Sequence, residues 1–393
     1  MNARFWGAAF YFFYFGAIGC WFPYLNLHYQ QIGLAKQQIG LLAALPTLIT
    51  LFASPLWAGL ADKLRAHKRL LTAAMLLTPI ALLLLVRTNN FVLLIGFVML
   101  QAILSAPISP LGDNAVLELL GEERHRYSSL RLWGAVGFGI TALGGGFIIE
   151  QVGIAWAVAA YAVLMWLAAF VTTRLPAPQA SAPPQLRDLG LITRDSRWFW
   201  FLMALMLVGF CATLFMNFMA LYFSQLGGTS SWYGFTIAVA SFSELFVFGL
   251  APRIIQNGQA RTLLMVSFGA YALRALITSL IDNAYWGLIP QAMHGLCFAA
   301  LWSASVAYAR EIAPPGWNAT AQSLISVVHF GVGAGGGALL AGALYDGVGP
   351  VVLFRVACLS AIVGLLAFAM SQRGMQRQTD TPHPPHRPHQ TSP

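Results

Sequence analysis

Glu244, Arg274 and His294 lie deep inside three successive apolar runs. Ionisable side chains are costly there unless they are paired, hydrated or used. Counted as helix, Glu244 is about 13 Å from the basic end of its run at Arg253, Arg274 about 20 Å from Arg261, and His294 about 24 Å from Arg310. An acid, a guanidinium and an imidazole held together at that depth suit proton transfer. Glu244 exchanges a proton with His294 or with a bound solute, and Arg274 keeps Glu244 ionised until protonation releases it. A structural ion pair beside a hydrogen-bonded histidine is the competing reading of the same residues.

A second set sits in the first half. Asp113 and Glu118 close the fourth apolar run, and Arg131 opens the fifth beside Trp133. An Asp113–Arg131 pair binds a polar group of a solute or closes a gate, with Asn114 adding hydrogen bonds; loop ordering is the alternative. The first run carries Tyr11, Tyr14, Trp21 and His28 on one helical face, a surface on which a ring can stack, although such stripes more often pack or face lipid. Asn217 stands among Met and Phe, where an amide fits a cavity wall.

The elements that hold these residues follow from composition. Of 393 residues, 58% are hydrophobic and only 9% charged, which leaves too few charges to cover a soluble protein of this size. Mean hydropathy is +0.68. Lipid must therefore serve as the solvent for the apolar surface. Twelve apolar runs of spanning length appear, at about 5–29, 38–61, 70–87, 91–112, 127–149, 154–174, 198–223, 232–252, 262–281, 285–309, 318–344 and 350–371. With the N-terminus in the cytoplasm, 18 Lys and Arg fall on the inner side and only Lys36 and Arg87 outside, a bias that sets orientation and accounts for the net charge without nucleic acid. Cys20, Cys211, Cys297 and Cys358 sit singly in apolar runs, so neither a metal site nor a disulfide framework is expected.

The Pro/Ala-rich stretch 175–197 reads as a cytoplasmic linker between two six-helix bundles, residues 1–174 and 198–371. The halves repeat in order. Gly33 and Gly40 return as Gly227 and Gly234, Gly59-Leu60-Ala61 as Gly249-Leu250-Ala251, and Gln101-Ala102 as Gln291-Ala292, a pattern of duplicated transporters. Residues 372–393 read as a disordered cytoplasmic tail, in which His383, His386 and His389 are spaced three apart.

Between the second and third runs stands GLADKLRAHKR, from Gly59 to Arg69. Gly59 permits close helix contact, Asp62 can pair with a cation or a helix N-terminus, and the basic cluster anchors one membrane face. This loop resembles the signature of the major facilitator superfamily, in which it latches the two halves in the outward-open state; Gly59, Asp62, Lys63 and Arg65 carry the match. In the second copy Pro252 replaces the acid. RLWGAVGF (Arg131–Phe138) after Asp113, with Glu244, Arg274 and His294, is similar to the phenylpropionate permease group and more distantly to lactose permease; the glutamate that lactose permease has three residues after its histidine is Cys297 here.

The expected molecule is an all-α membrane protein with twelve transmembrane helices in two pseudo-symmetric bundles, the major facilitator fold. It is expected to be a monomer in the cell inner membrane with both termini cytoplasmic. The expected activity is proton-coupled symport of a small organic solute by alternating access. The resemblance favours an aromatic carboxylate such as phenylpropionate; a sugar or a nucleoside is the alternative, and a drug/proton exporter or a non-transport membrane protein a more remote one. No cofactor is expected beyond the coupling proton, and no nucleotide-binding loop or catalytic constellation marks an enzyme.

Overall fold

Apolar runs with few charges form helices because only internally bonded backbone is tolerated in lipid. The computed structural model describes residues 3–176, 195–314 and 317–379, and they are helical almost throughout. The first ten spans are α1 (Arg4–Gln31), α2 (Lys36–Leu64), α3 (His67–Leu85), α4 (Phe91–Glu123), α5 (Tyr127–Val152), α6 (Ile154–Thr172), α7 (Ser196–Asn217, continued by Met219–Gln225), α8 (Ser230–Gln256), α9 (Ala260–Leu280) and α10 (Ala284–Ile312). The last helical stretch, Thr320–Gln372, has 53 residues, or about 80 Å of helix, far more than one crossing of a core about 30 Å thick. It breaks at Gly349, whose φ of +78° suits glycine, into α11 (318–348) and α12 (350–379). The described residues thus form twelve crossing helices.

Two expected boundaries move. The fourth helix does not close near 112 but runs to Glu123, so Asp113 and Asn114 lie within it. The last helix continues past 371 to Thr379. Most of the expected linker, and the tail histidines His383, His386 and His389, lie outside the described residues.

Interruptions in the helices place the site. Pro23 turns α1 through a short 3-10 segment, Phe22–Tyr24, and Pro107 divides α4 into Phe91–Ser105 and Ile108–Leu120. In α10 the chain breaks at Met293, so a fresh helical segment begins at His294. In α11, Val327–Gly335 winds as a π-helix around the buried His329.

Within each half one helix pair packs backbone to backbone. An added Cβ on Gly137 or Gly145 of α5 would overlap the Phe12 or Cys20 carbonyl of α1, and one on Gly209 of α7 would overlap the His329 carbonyl of α11. Between halves, α2 meets α11 and α5 meets α8 at the end opposite the basic loops. A Cβ on Gly40 would lie 2.6 Å from the Ala338 carbonyl and 2.7 Å from Gly342, while one on Gly234 would lie 2.7 Å from the Ala142 carbonyl. Toward the basic end the helices part. Pro55, Leu56, Ala58, Gly59 and Leu60 of α2 are all exposed, around most of the helix circumference, and Gly59 and Gly249 have open space beside them. The space between the halves therefore opens toward the basic end.

Candidate functional site

The Met293 break turns His294 toward α8 and α9. Its Nε2 lies 2.6 Å from Glu244 Oε1, and its Nδ1 lies 2.8 Å from Arg274 Nη1. Arg274 is 1% exposed; its Nη2 donates to Gln291 Oε1 at 2.5 Å and its guanidinium lies 3.9 Å from the centre of the Phe215 ring. Glu244 and His294 retain 17% and 22% of their side-chain exposure, so the row runs from a partly exposed end to a buried one.

Donor inventory fixes the direction of these bonds. Arginine only donates, so His294 Nδ1 accepts. The ring N–H then resides on Nε2 and donates to Glu244 Oε1. The row runs guanidinium, imidazole, carboxyl oxygen. Sequence reasoning expected Arg274 to hold Glu244 ionised; the structure places His294 between the two. Gln291 was missed. Its signal was a second polar residue three positions before His294, on the same helical face in an apolar run. The Ser243 hydroxyl accepts the Gly295 N–H at 2.9 Å and ties the start of this segment to α8.

Asp113 and Arg131 also meet, with Arg131 Nη1 3.1 Å from Asp113 Oδ1. The same oxygen accepts from the Tyr11 hydroxyl at 2.7 Å, and the guanidinium lies over the Phe15 and Tyr11 rings. Tyr11 therefore belongs with this pair, apart from the aromatic face on which its spacing had placed it. Asn114 does not line the cavity described next.

A cavity of about 370 Å³ lies among α1, α2, α3, α4 and α6, with Asn217 of α7 on its wall. Tyr14 and Trp21 line it, as do Asn26, Thr47, Thr50, Ser54, Gln101, Ser105 and Ser109. Sequence reasoning missed these last seven, because single hydroxyls and amides in apolar runs draw no notice until folding gathers them. Asn26 donates across the halves to the Asn217 carbonyl at 2.8 Å, and Asn217 in turn donates to Thr213 Oγ1 at 2.9 Å. Trp21 packs edge-on to Tyr161, and its buried indole N–H has no partner among the described residues. The expected solute-binding residues thus divide. Tyr14, Trp21 and Asn217 share this cavity, while Asp113 and Arg131 form a separate pair.

In the last turn of α2, Asp62 Oδ1 contacts His67 Nε2 at 2.7 Å, within its own half. Arg65 terminates α2 with φ +49°, its N–H bonded back to the Asp62 carbonyl, and Lys63 is exposed. The acid of the loop is engaged locally where the halves have parted.

A family model described as "MFS_1 like family" matches residues 5–356. The maltose permease of Geobacillus stearothermophilus is 30% identical over 387 residues, covering 94% of this chain and 97% of that protein. A "probable 3-phenylpropionic acid transporter" of Escherichia coli (strain K12) is 25% identical, covering 77% of this chain and 81% of its own. Among solved structures, the nucleoside transporter NupG superposes with a TM-score of 0.81 at 16% identity, over 95% of this chain and all of that one. A D-xylose-proton symporter gives 0.69 at 13% identity, over 93% and 96%.

Proposed function

The chain belongs to the MFS_1-like family of the major facilitator superfamily, and from that premise we propose that it is a monomeric proton symporter for a small, neutral, hydroxyl-rich solute of the sugar class. As a member it is a multi-pass membrane transporter and not an enzyme. The single observation that carries the sugar reading is the cavity wall, which offers neutral amides and hydroxyls beside aromatic rings. Sugars are held by that combination of hydrogen bonding and ring faces. An aromatic carboxylate needs a cation, and both nearby guanidinium groups are engaged, Arg131 by Asp113 and Arg274 by His294 and Gln291. The 30% identity to a maltose permease points the same way.

The excess of Lys and Arg puts the basic end in the cytoplasm, with both termini, so the described conformation opens inward. Proton arrival acts on the Arg274–His294–Glu244 row. Protonating Glu244 removes the negative charge that strengthens its bond from His294 and leaves a weaker, neutral acceptor. Protonating His294 removes the lone pair that Arg274 uses and sets two cations together. Either event loosens α8, α9 and α10 from one another, which couples proton occupancy to rocking of the halves. In the outward-open state Asp62 exchanges His67 for a partner in the second half, and Gly59 makes the close contact it now lacks.

Uptake into proteoliposomes tests the reading. An inward pH gradient should drive accumulation of a mono- or disaccharide above its equilibrium level. Gradient-driven accumulation of an aromatic acid or a nucleoside, with none of any sugar, overturns the substrate class; sugar entry that ignores the gradient overturns the coupling.

A further inference from the structure

Two carboxylates at the closed end of the molecule each cap a helix of the opposite half. Glu150, near the end of α5, accepts the Ser231 N–H of α8 through Oε2 at 2.8 Å. Asp346, near the end of α11, accepts the Lys36 N–H of α2 through Oδ2 at 3.3 Å. Both acceptors lie one turn beyond a glycine that packs against the helix being capped. Gly146 abuts the Ser230 carbonyl, and Gly342 lies against the Lys36 carbonyl and Gly40. Glu150 and Asp346 stand 196 residues apart, as do Gly146 and Gly342, and the two capped helices begin 194 residues apart. The arrangement is one device used twice, about the axis that relates the halves.

We propose that Glu150 and Asp346 are paired clasps that hold the non-basic end of the transporter shut, each by seating a negative charge on the positive N-terminus of a helix across the interface. The physics favours both contacts, since a carboxylate there satisfies a backbone donor that helix geometry leaves free and meets the helix dipole. Neither carboxylate does so for its own half, so the stabilisation exists only while the halves touch. Other groups complete each clasp. The Lys36 ammonium lies 5.9 Å from the centre of the Tyr345 ring, and the Tyr24 ring lies edge-on to Tyr233 with centroids 5.8 Å apart. The inference holds whichever solute is carried and whether or not a proton drives it.

Spin labels at Arg87→Cys and Tyr285→Cys, both exposed at this end and in different halves, read the gate by electron–electron distance measurement. The four native cysteines are buried and stay unlabelled. In full-length protein without solute or pH gradient, Glu150→Gln with Asp346→Asn should raise the long-distance population at least threefold. Ser231→Pro deletes the donor while leaving the carboxylate, at a first-turn position that tolerates proline. It should reproduce the effect of Glu150→Gln alone, and the two together should do no more than either. It also carries the test if the double carboxylate variant fails to fold. Distance distributions like the parent's, or effects of Glu150→Gln and Ser231→Pro that simply add, overturn the proposal. A failed sugar-uptake assay leaves it untouched.

Discussion

Arg274 reaches Glu244 only through His294. The guanidinium bonds Nδ1 of the imidazole at 2.8 Å, and Nε2 on the far side of the ring meets the carboxylate at 2.6 Å. A proton arriving on the ring must displace its bond from Arg274, because both ring nitrogens are already committed. The neutral imidazole is the only form that serves both neighbours at once.

Glu244→Gln should therefore separate coupling from passage. The amide can still accept from His294 but carries no titratable proton. Gradient-driven accumulation should fall to background, while exchange of labelled for unlabelled solute at equal pH should persist within about tenfold, a change of about 1.4 kcal/mol. Accumulation at the parental level would remove Glu244 from the coupling path.

Arg274→Lys should cost stability as well as coupling. An ammonium is a point donor that cannot span His294 and Gln291 together or lie flat on Phe215. Loss of one charge-assisted bond in a buried site costs about 2 kcal/mol, which for a chain of this size lowers Tm by roughly 2–3 °C. Thermal unfolding in detergent measures it, and an unchanged Tm would mean that Arg274 is less constrained than its contacts indicate.

Trp21→Phe should weaken solute binding. An aromatic ring is kept against Tyr161, while the indole N–H that has no partner among the described residues is lost with part of the bicyclic ring. If a solute hydroxyl completes that donor, the apparent affinity should drop by about tenfold, about one hydrogen bond. Isothermal titration reads this directly. An affinity equal to the parent's would place the solute elsewhere in the cavity.

The helices themselves were legible because hydropathy over spanning lengths is set by lipid alone. The interruptions were legible only in part. Pro23 announces the turn in α1, but the matching break at Phe218 in α7 has no proline. It is held by Asn26, whose side chain takes up the Asn217 carbonyl from the other half, a contact with no local trace in the sequence. The ionisable row was visible because each member is conspicuous in lipid. Gln291 and the hydroxyls of the cavity were not, since a neutral polar residue in a helix can bond its own backbone, as Thr78 and Ser267 do here. Spacing also gave Asp113 its partner Arg131 but not its depth, because α4 runs on beyond the acid to Glu123.

Gly40→Ala and Gly137→Ala should differ in kind, although each adds one methyl at a helix contact. On Gly137 the new Cβ meets the Phe12 carbonyl within the first half, a contact that rocking of one half against the other does not part. The strain cannot be escaped, so the fold should lose about 1–3 kcal/mol and Tm should fall by several degrees. On Gly40 the Cβ lies 2.6 Å from the Ala338 carbonyl across the interface between halves. That strain vanishes when α2 and α11 separate, so the population should move toward the conformer open at the non-basic end while Tm changes little. Alkylation of a cysteine placed at Ala43 on the cavity wall, by a maleimide that cannot cross the membrane, should quicken severalfold in Gly40→Ala and not in Gly137→Ala. Equal losses of Tm with no change in alkylation would show that the two contacts are alike, and that the halves do not part at Gly40.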